Sequence, residues 1–118
     1  MQRYYQKNKA RVLETVAEYR RNNPDKVRDS KLRGTFGISL ADYNRMLREQ
    51  NDVCAICRCK ETMVWRGKIR ALAVDHDHVT GAVRRLLCRR CNSILGFVND
   101  SSLLLRTAAD YLEKHRAQ

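Results

Sequence analysis

Two pairs of cysteines constrain the fold of this chain more than any other feature. Cys54 and Cys57 form one CxxC motif, Cys88 and Cys91 form a second, and thirty residues separate the pairs. Two residues between two cysteines allow one tight turn to direct both sulfurs at the same ion, and two such turns complete the tetrahedral shell of zinc. The sequence therefore predicts a structural zinc site with four thiolate ligands.

The fifth cysteine, Cys59, is left over. It could be a buried free thiol or could replace Cys57 as a ligand, but the two-residue spacing favours Cys57. Disulfides and a thiol redox function are alternatives. However, the sequence begins without an apolar signal segment, and neither pair lies in a thioredoxin-like βαβ pattern. We therefore expect a reduced, cytoplasmic compartment.

Positive charge is concentrated in two blocks of the chain, whose formal net charge is +11. Residues 1–36 carry ten Lys or Arg against four acids, and residues 58–90 carry nine against three. Such blocks indicate a polyanionic partner, most often nucleic acid, although a basic surface that serves solubility is an alternative. No apolar run approaches the roughly 18 residues of a membrane span, so no membrane partner is predicted.

Residues 3–22 are predicted to form a basic helix. They contain no Gly or Pro, and apolar residues recur at helical spacing on one stripe: Tyr5, Val12, Val16 and Tyr19. The helix could pack this stripe on the domain and present Lys7, Lys9 and Arg11 to DNA phosphates. It could also be the arm of a homodimer, or its charged face could simply meet water.

A second helix is predicted over residues 24–33. Asn23 is its candidate N-cap, and Pro24 suits its first position because the fixed φ of proline is already helical. We therefore assign residues 1–36 to a basic helical leader and residues 37–118 to a zinc-stapled domain.

The domain is expected to begin with a helix that supports the first cysteine pair. Ser39 and Asp42 have the spacing of a capping box at its start, and the helix should end near Asn51. Its apolar stripe is predicted to belong to the core: Leu40, Tyr43, Met46 and Leu47.

Between the cysteine pairs the pattern predicts a hairpin followed by a helix. Residues 69–74 alternate as a strand, Thr80-Gly81 signals a turn, residues 82–87 form a second strand and residues 91–98 have helical spacing. A last helix through about His115 is expected to pack through an apolar face: Leu104, Leu105, Ala108 and Leu112. The predicted fold class is α+β, with a small zinc-stapled ββα core flanked by N-terminal and C-terminal helices.

The segment DHDH at residues 75–78 lies at the connecting end of this hairpin. Packing alone explains it poorly, because buried carboxylates and imidazoles cost free energy unless they are paired. Four thiolates already satisfy zinc, and a carboxylate beside an amide oxygen prefers a hard ion such as Mg²⁺. A second metal site is therefore predicted, with a salt-linked structural loop as the alternative.

Three stretches carry a family resemblance: LAVDHDH at residues 72–78, TGAVR at residues 80–84 and LLCRRCN at residues 86–92. In this order they resemble the HNH, or ββα-metal, nucleases of the phage recombination endonuclease VII family. The resemblance is dense over residues 50–98 and implies a metal-dependent DNA endonuclease, structure-selective or nicking, in the host cell cytoplasm if the chain is phage-encoded.

The resemblance also implies roles for single residues. Asp75 and Asn92 would bind one divalent ion, Mg²⁺ or Mn²⁺, His76 would be the general base, and His78 would be an accessory group. A histidine with a pKa near 6.5 can take a proton from water at neutral pH. Leu95 stands where some junction-resolving members carry an acid, which leaves the minimal Asp, His and Asn set.

Four arginines near the predicted site are candidate phosphate clamps, because guanidinium matches phosphate bidentately: Arg84, Arg85, Arg89 and Arg90. The rival interpretation is a zinc-ribbon module that binds DNA or RNA without cutting it, with the DHDH segment as a structural loop. Asn92 distinguishes the two best, because a ribbon has no need of an amide directly after its fourth cysteine.

Overall fold

The computed structural model describes residues 2–116, with side chains from residue 8 onward. These residues form helices and short strands in the order α1 (Gln2–Asn22), α2 (Pro24–Phe36), α3 (Leu40–Glu49), β1 (Val64–Trp65), β2 (Lys68–Ile69), β3 (Ala73–His76), β4 (Val83–Leu87), α4 (Arg89–Phe97) and α5 (Ser102–His115). β1 pairs with β2 and β3 with β4, both antiparallel, which confirms the predicted α+β class. None of the helices described is long and apolar enough to cross a membrane.

The chain divides into two compact units between Arg45 and Met46, inside α3. The first unit holds α1, α2 and the start of α3, and the second holds the remaining elements. The boundary after residue 36, drawn from the sequence, stays a prediction.

In the first unit, Asn23 is the N-cap residue of α2 and Pro24 begins the helix, as predicted. The side chain of Asn23 makes no capping hydrogen bond: its amide Nδ2 donates instead to the carbonyl of Tyr19, near the end of α1, at 2.9 Å. α2 also continues past residue 33 to Phe36 and ends at Gly37, whose φ of 72° lies in the left-handed region that favours glycine. The amide of Gly37 donates to the carbonyl of Arg33 and satisfies the last turn.

The start of α3 is held by the predicted capping box. The amide of Asp42 donates to Ser39 Oγ at 3.0 Å, and the amide of Ser39 donates to Asp42 Oδ2 at 3.0 Å. Asp29 of α2 accepts from the amide of Leu40 at 2.8 Å, so a carboxylate joins α2 to this helix start. The ring of Tyr43 is buried, and Tyr43 and Met46 of the predicted stripe lie in the core.

In the second unit, the strand predicted over residues 69–74 is not continuous: Ala73 and Val74 lie in β3 as predicted, but Ile69 belongs to a separate hairpin. Arg66 and Gly67 both have positive φ, 51° and 78°, and form a two-residue turn that pairs β1 with β2. Ile69 therefore belongs to this first hairpin and is exposed, whereas Ala73 begins the buried strand β3.

The β3–β4 hairpin and α4 form the core that positions the site. Leu86 of β4 is fully buried, and α4 packs against both strands. The other buried apolar side chains of the hairpin region are Leu72, Ala73, Val74 and Leu87. The order strand, strand, helix agrees with the predicted ββα core.

The last helix begins at a serine cap, and its apolar face is largely exposed. Ser101 caps α5 by accepting from the amide of Leu104 at 3.1 Å. No residue of α5 is buried, and Leu104 and Leu112 are exposed. The prediction that α5 packs through this face is therefore wrong for Leu104, Ala108 and Leu112, which are exposed, whereas Leu105 is half-buried.

Candidate metal centre and acid–imidazole site

The four predicted zinc ligands converge. The sulfurs of Cys54, Cys57, Cys88 and Cys91 all lie within 4.8 Å of one another, and those of Cys57 and Cys88 are 3.8 Å apart. Tetrahedral zinc with Zn–S bonds of about 2.3 Å requires sulfurs about 3.8 Å apart, so the donors fit the ion in kind and in spacing. Cys59 is exposed and outside the cluster, with its sulfur 3.5 Å from the carbonyl oxygen of Cys57.

Backbone amides and burial act in opposite directions on these thiols. The amide of Cys59 and the neighbouring sulfurs lower the pKa of Cys57 to about 6. Burial raises the pKa of Cys91 to about 12, because the apolar surroundings disfavour a thiolate. The Arg90 guanidinium contacts Cys57, and this contact raises the pKa of Arg90. A divalent cation would compensate the charge of four thiolates in this setting.

The second cysteine pair also begins α4. Cys88 is the N-cap of this helix, and its sulfur accepts from the amide of Cys91 at 3.4 Å. The amide of Asn92 donates to the carbonyl of Cys88 at 3.0 Å, which is the first helical bond. Asn92 thus lies in the first turn of the helix that packs against β3.

Asp75 is a buried carboxylate opposite a β-bulge. The pairing of β3 with β4 shifts register between Val74 and His76. Two residues of β4, Arg84 and Arg85, therefore oppose Asp75 alone. The guanidinium of Arg84 binds both oxygens of Asp75, Nε to Oδ2 at 2.6 Å and Nη2 to Oδ1 at 2.9 Å. This bidentate pair fixes the carboxylate in one plane.

Asp77, the second acid of the DHDH segment, belongs to the turn. Its Oδ1 accepts from the amides of Val79 at 2.8 Å and Thr80 at 2.9 Å. These two amides hold the pKa of Asp77 below its usual range. Gly81, at a φ of 76°, completes the turn. Asp77 therefore shapes the loop between the strands.

The two histidines of the segment lie together, and one of them is bound by a carboxylate from outside the hairpin. The rings of His76 and His78 are 4.8 Å apart between centroids, tilted by 46°. His78 Nδ1 lies 3.0 Å from Asp100 Oδ2, and Arg84 Nη2 donates to Asp100 Oδ1 at 3.3 Å. The hydrogen bond with His78 and the charge of Arg84 lower the pKa of Asp100.

Asp100 was not among the site residues predicted from the sequence. Asn99 and Asp100 both have positive φ, 52° and 57°, and the amide of Asp100 donates to the carbonyl of Leu95. This left-handed turn brings the carboxylate back to the hairpin. An Asn-Asp pair after a helix is typical of such a turn, but its partners are distant in sequence.

The predicted arginines take different positions. Besides Arg84, Arg85 Nη1 binds Glu49 Oε2 at 3.0 Å on the surface. Arg89 is held within the protein, with its amide bound to Glu61 and its Nη2 donating to the carbonyl of Ala71 at 3.2 Å. Arg90 is exposed beside the cysteine cluster, Lys9 and Arg11 are exposed on α1, and the side chain of Lys7 lies outside the described residues.

Among the described residues, the cysteines are the one group in which three or more His, Cys, Asp or Glu ligand atoms converge. Asp75, His76 and His78 therefore do not form a closed metal cage. A second ion here would rely on Asp75, an amide oxygen and non-protein ligands. The oxygen donors fit a hard cation, and each oxygen of Asp75 keeps a lone pair beyond its bond to Arg84.

Comparisons with known proteins identify relatives of this chain. The family model of recombination endonuclease VII matches residues 29–114. The chain is 40% identical over 87 residues to the Gene 59 protein of Mycobacterium phage D29, covering 73% of this chain and 50% of that protein. It is 36% identical over 85 residues to the Gene 59 protein of Mycobacterium phage L5, covering 71% and 49%. The chain thus spans about half the length of these curated relatives, and no solved structure matches it.

Proposed function

Because the chain belongs to the recombination endonuclease VII family, we propose that it is a metal-dependent DNA endonuclease of the HNH type. One observation carries this proposal. Asp75 and His76 end a buried strand beside the helix whose first turn holds Asn92, and the cysteine cluster fixes the start of that helix. A buried acid and an imidazole in consecutive positions, with an amide in the first turn of the helix that packs against their strand, are groups that metal-assisted phosphodiester hydrolysis uses.

In the proposed mechanism His76 is the general base. A neutral imidazole takes a proton from the attacking water, and the ring of His78 limits the orientations open to His76. Asp75 and Asn92 would hold Mg²⁺ or Mn²⁺, which stabilises negative charge on the phosphate oxygens and the leaving oxygen.

Arg84 and Asp100 are positioning residues in this proposal. Arg84 fixes the plane of the Asp75 carboxylate and bridges it to Asp100, which in turn binds His78. A carboxylate on Nδ1 of His78 selects one ring orientation. The other ring nitrogen, Nε2, would then face the phosphate.

The DNA contacts proposed from the sequence divide by accessibility. Arg85 on β4 and Arg90 at the start of α4 are exposed and would contact phosphates. Lys9 and Arg11 of α1 would do so as well, with Lys7 as a further candidate. Arg89 is anchored to Glu61 and Ala71, so a phosphate contact would require it to exchange partners. We further propose that the protein acts as a homodimer in the host cell cytoplasm.

The bidentate Arg84–Asp75 pair also favours a second candidate function. A buried carboxylate that is already neutralised has a structural explanation, as expected of a zinc-ribbon module that binds nucleic acid without cutting it. The two functions differ in whether His76 is needed for anything beyond folding.

The test is cleavage of supercoiled plasmid with Mg²⁺ or Mn²⁺ by purified, zinc-loaded variants. His76→Ala should keep the fold and DNA binding but cut about 10²-fold more slowly or worse, because general base catalysis supplies a factor of about 10²–10⁴. Asn92→Ala should require more metal ion and recover at high concentration, whereas metal should not rescue His76→Ala.

His115→Ala is the matched control, because it removes an exposed histidine from α5. It should cut at the parental rate. If His76→Ala cleaves at the parental rate, His76 is not the general base. If the parent protein does not cleave, the zinc-ribbon module is favoured.

A further inference from the structure

The β1–β2 hairpin is a short ribbon in the second unit. Its turn, Arg66-Gly67, has positive φ at both positions, the geometry whose twist matches that of paired strands. The amide of Arg70 donates to the carbonyl of Met63 at 2.8 Å and extends the pairing beyond the strands. The ribbon is therefore a defined element and not an irregular loop.

Large apolar side chains on this ribbon are exposed. Trp65 is 62% exposed and Ile69 is 68% exposed, and Met63 and Val64 are exposed as well. Single exposed apolar residues are ordinary, but four within seven residues form a cluster, and such clusters mark interaction sites. Trp65 is also the single tryptophan of the chain.

The charge of the ribbon indicates the class of partner. Arg66, Lys68 and Arg70 surround the apolar side chains, and the sequence has no acid between Glu61 and Asp75. Within the described residues none of these three cations forms an ion pair, and the guanidinium of Arg66 lies 5.8 Å from the centroid of the Trp65 ring. An exposed aromatic ring among cations complements the flat face of a base between phosphates.

We propose that the β1–β2 hairpin is a DNA-binding ribbon in which Trp65 stacks on an unpaired base while Arg66, Lys68 and Arg70 contact the flanking phosphates. The choice of DNA rests on the proposed function, to which this adds a contact surface outside the proposed site. In an intact duplex both faces of each base are already stacked, so Trp65 would have to pry bases apart.

The ribbon lies within reach of the site. Ile69 and Ala73 are four residues apart, a span of at most about 14 Å, and β3 then leads directly to Asp75 and His76. A strand held by the ribbon would therefore pass near the proposed cleavage site. The ribbon would therefore recognise unpaired bases close to the residues proposed to cut the DNA.

The fluorescence of the single tryptophan tests the proposal without cleavage. Zinc-loaded protein, with no other divalent ion added, is titrated with an intact duplex and with the same duplex carrying a central gap of unpaired thymines. Binding is followed in parallel by the anisotropy of labelled DNA. The gapped DNA should quench Trp65 strongly, and the intact duplex should quench it weakly.

Variants separate stacking from charge. Trp65→Ala should bind the gapped DNA about tenfold more weakly, within the roughly five- to hundredfold range of one stacked base, and bind the intact duplex with nearly parental affinity. Trp65→Phe should restore most of the loss. Tyr111→Ala is the matched control, because Tyr111 is 64% exposed on α5 and should affect neither DNA.

Two results would overturn the proposal: unchanged fluorescence at saturating gapped DNA, or parental binding of both DNAs by Trp65→Ala. Cleavage assays on the parent keep this question apart from the proposed function. Cleavage without quenching would refute the ribbon proposal but support the nuclease function. Quenching without cleavage would support DNA binding by the ribbon but refute the nuclease function.

Discussion

Replacement of Gln50 by alanine should destabilise the second unit more than any surface change nearby. Gln50 is 8% exposed and lies directly after α3. Its Nε2 donates to the carbonyls of Val53 and Leu86, and its Oε1 accepts from the amide of Leu86, each at 2.9 Å. The side-chain amide of Gln50 thus bonds to the backbone of Leu86 as a neighbouring strand would. Leu86 lies in β4, two residues before Cys88.

The magnitude follows from what Gln50→Ala leaves behind. The carbonyl of Leu86 keeps a second donor, the amide of Ala55 at 3.1 Å. Leu86 is fully buried, so the loss of the acceptor for its amide costs about 1–3 kcal/mol. The other two lost hydrogen bonds together cost at least about 1 kcal/mol. We expect a loss of about 3 kcal/mol, or at least about 10 °C in Tm for a unit of this size.

Thermal unfolding at fixed zinc concentration, followed by circular dichroism, measures this loss. Glu49→Gln is the matched control, because it changes the adjacent residue and removes a surface ion pair with Arg85. The side chains of Arg85 and Glu49 are 58% and 50% exposed, so the loss of this pair should cost less than about 1 kcal/mol of stability. If Gln50→Ala lowers Tm no more than Glu49→Gln does, the amide is not the partner that holds β4.

Two further predictions concern the cysteine cluster and Asp100. Cys88→Ser should lose zinc and leave the second unit unfolded or molten, whereas Cys59→Ser, outside the cluster, should keep one zinc per chain by metal analysis and a parental Tm. Asp100→Asn keeps the size of the side chain but removes its charge. It should lower kcat of plasmid cleavage about tenfold with little change in KM, Tm or zinc content, because it acts on the orientation of His78. A changed Tm with unchanged kcat would make Asp100 structural.

Features that depend on local chemistry could be predicted from the sequence. The spacing of Cys54 and Cys57 determines which sulfurs one turn can bring together, and the capping box of Ser39 and Asp42 closes within one helical turn. The order of strand, strand and helix followed from periodicity. In each case the interacting residues are near in sequence, or their type identifies them as ligands of the same ion.

Features that depend on distant partners could not be predicted. Gln50 and Leu86 are 36 residues apart, and a glutamine at a helix end carries no signal of its partner. The strand predicted over residues 69–74 failed for a different reason. Alternation of apolar residues continued from β2 across residues 70–72 into β3, so periodicity alone did not show that two hairpins meet there.

The cysteine cluster and the acid–imidazole site are mechanically joined, although they have separate ligands. The sulfur of Cys88 caps α4 and its carbonyl accepts from the amide of Asn92, so the cluster sets where the first turn of this helix begins. The same residue follows β4 directly, the strand whose bulge presents Arg84 to Asp75. A shift of Cys88 would therefore displace Asn92 and Asp75 relative to each other. Zinc would thus support the proposed chemistry by fixing the distance between Asp75 and Asn92, the two oxygen donors proposed for the second ion.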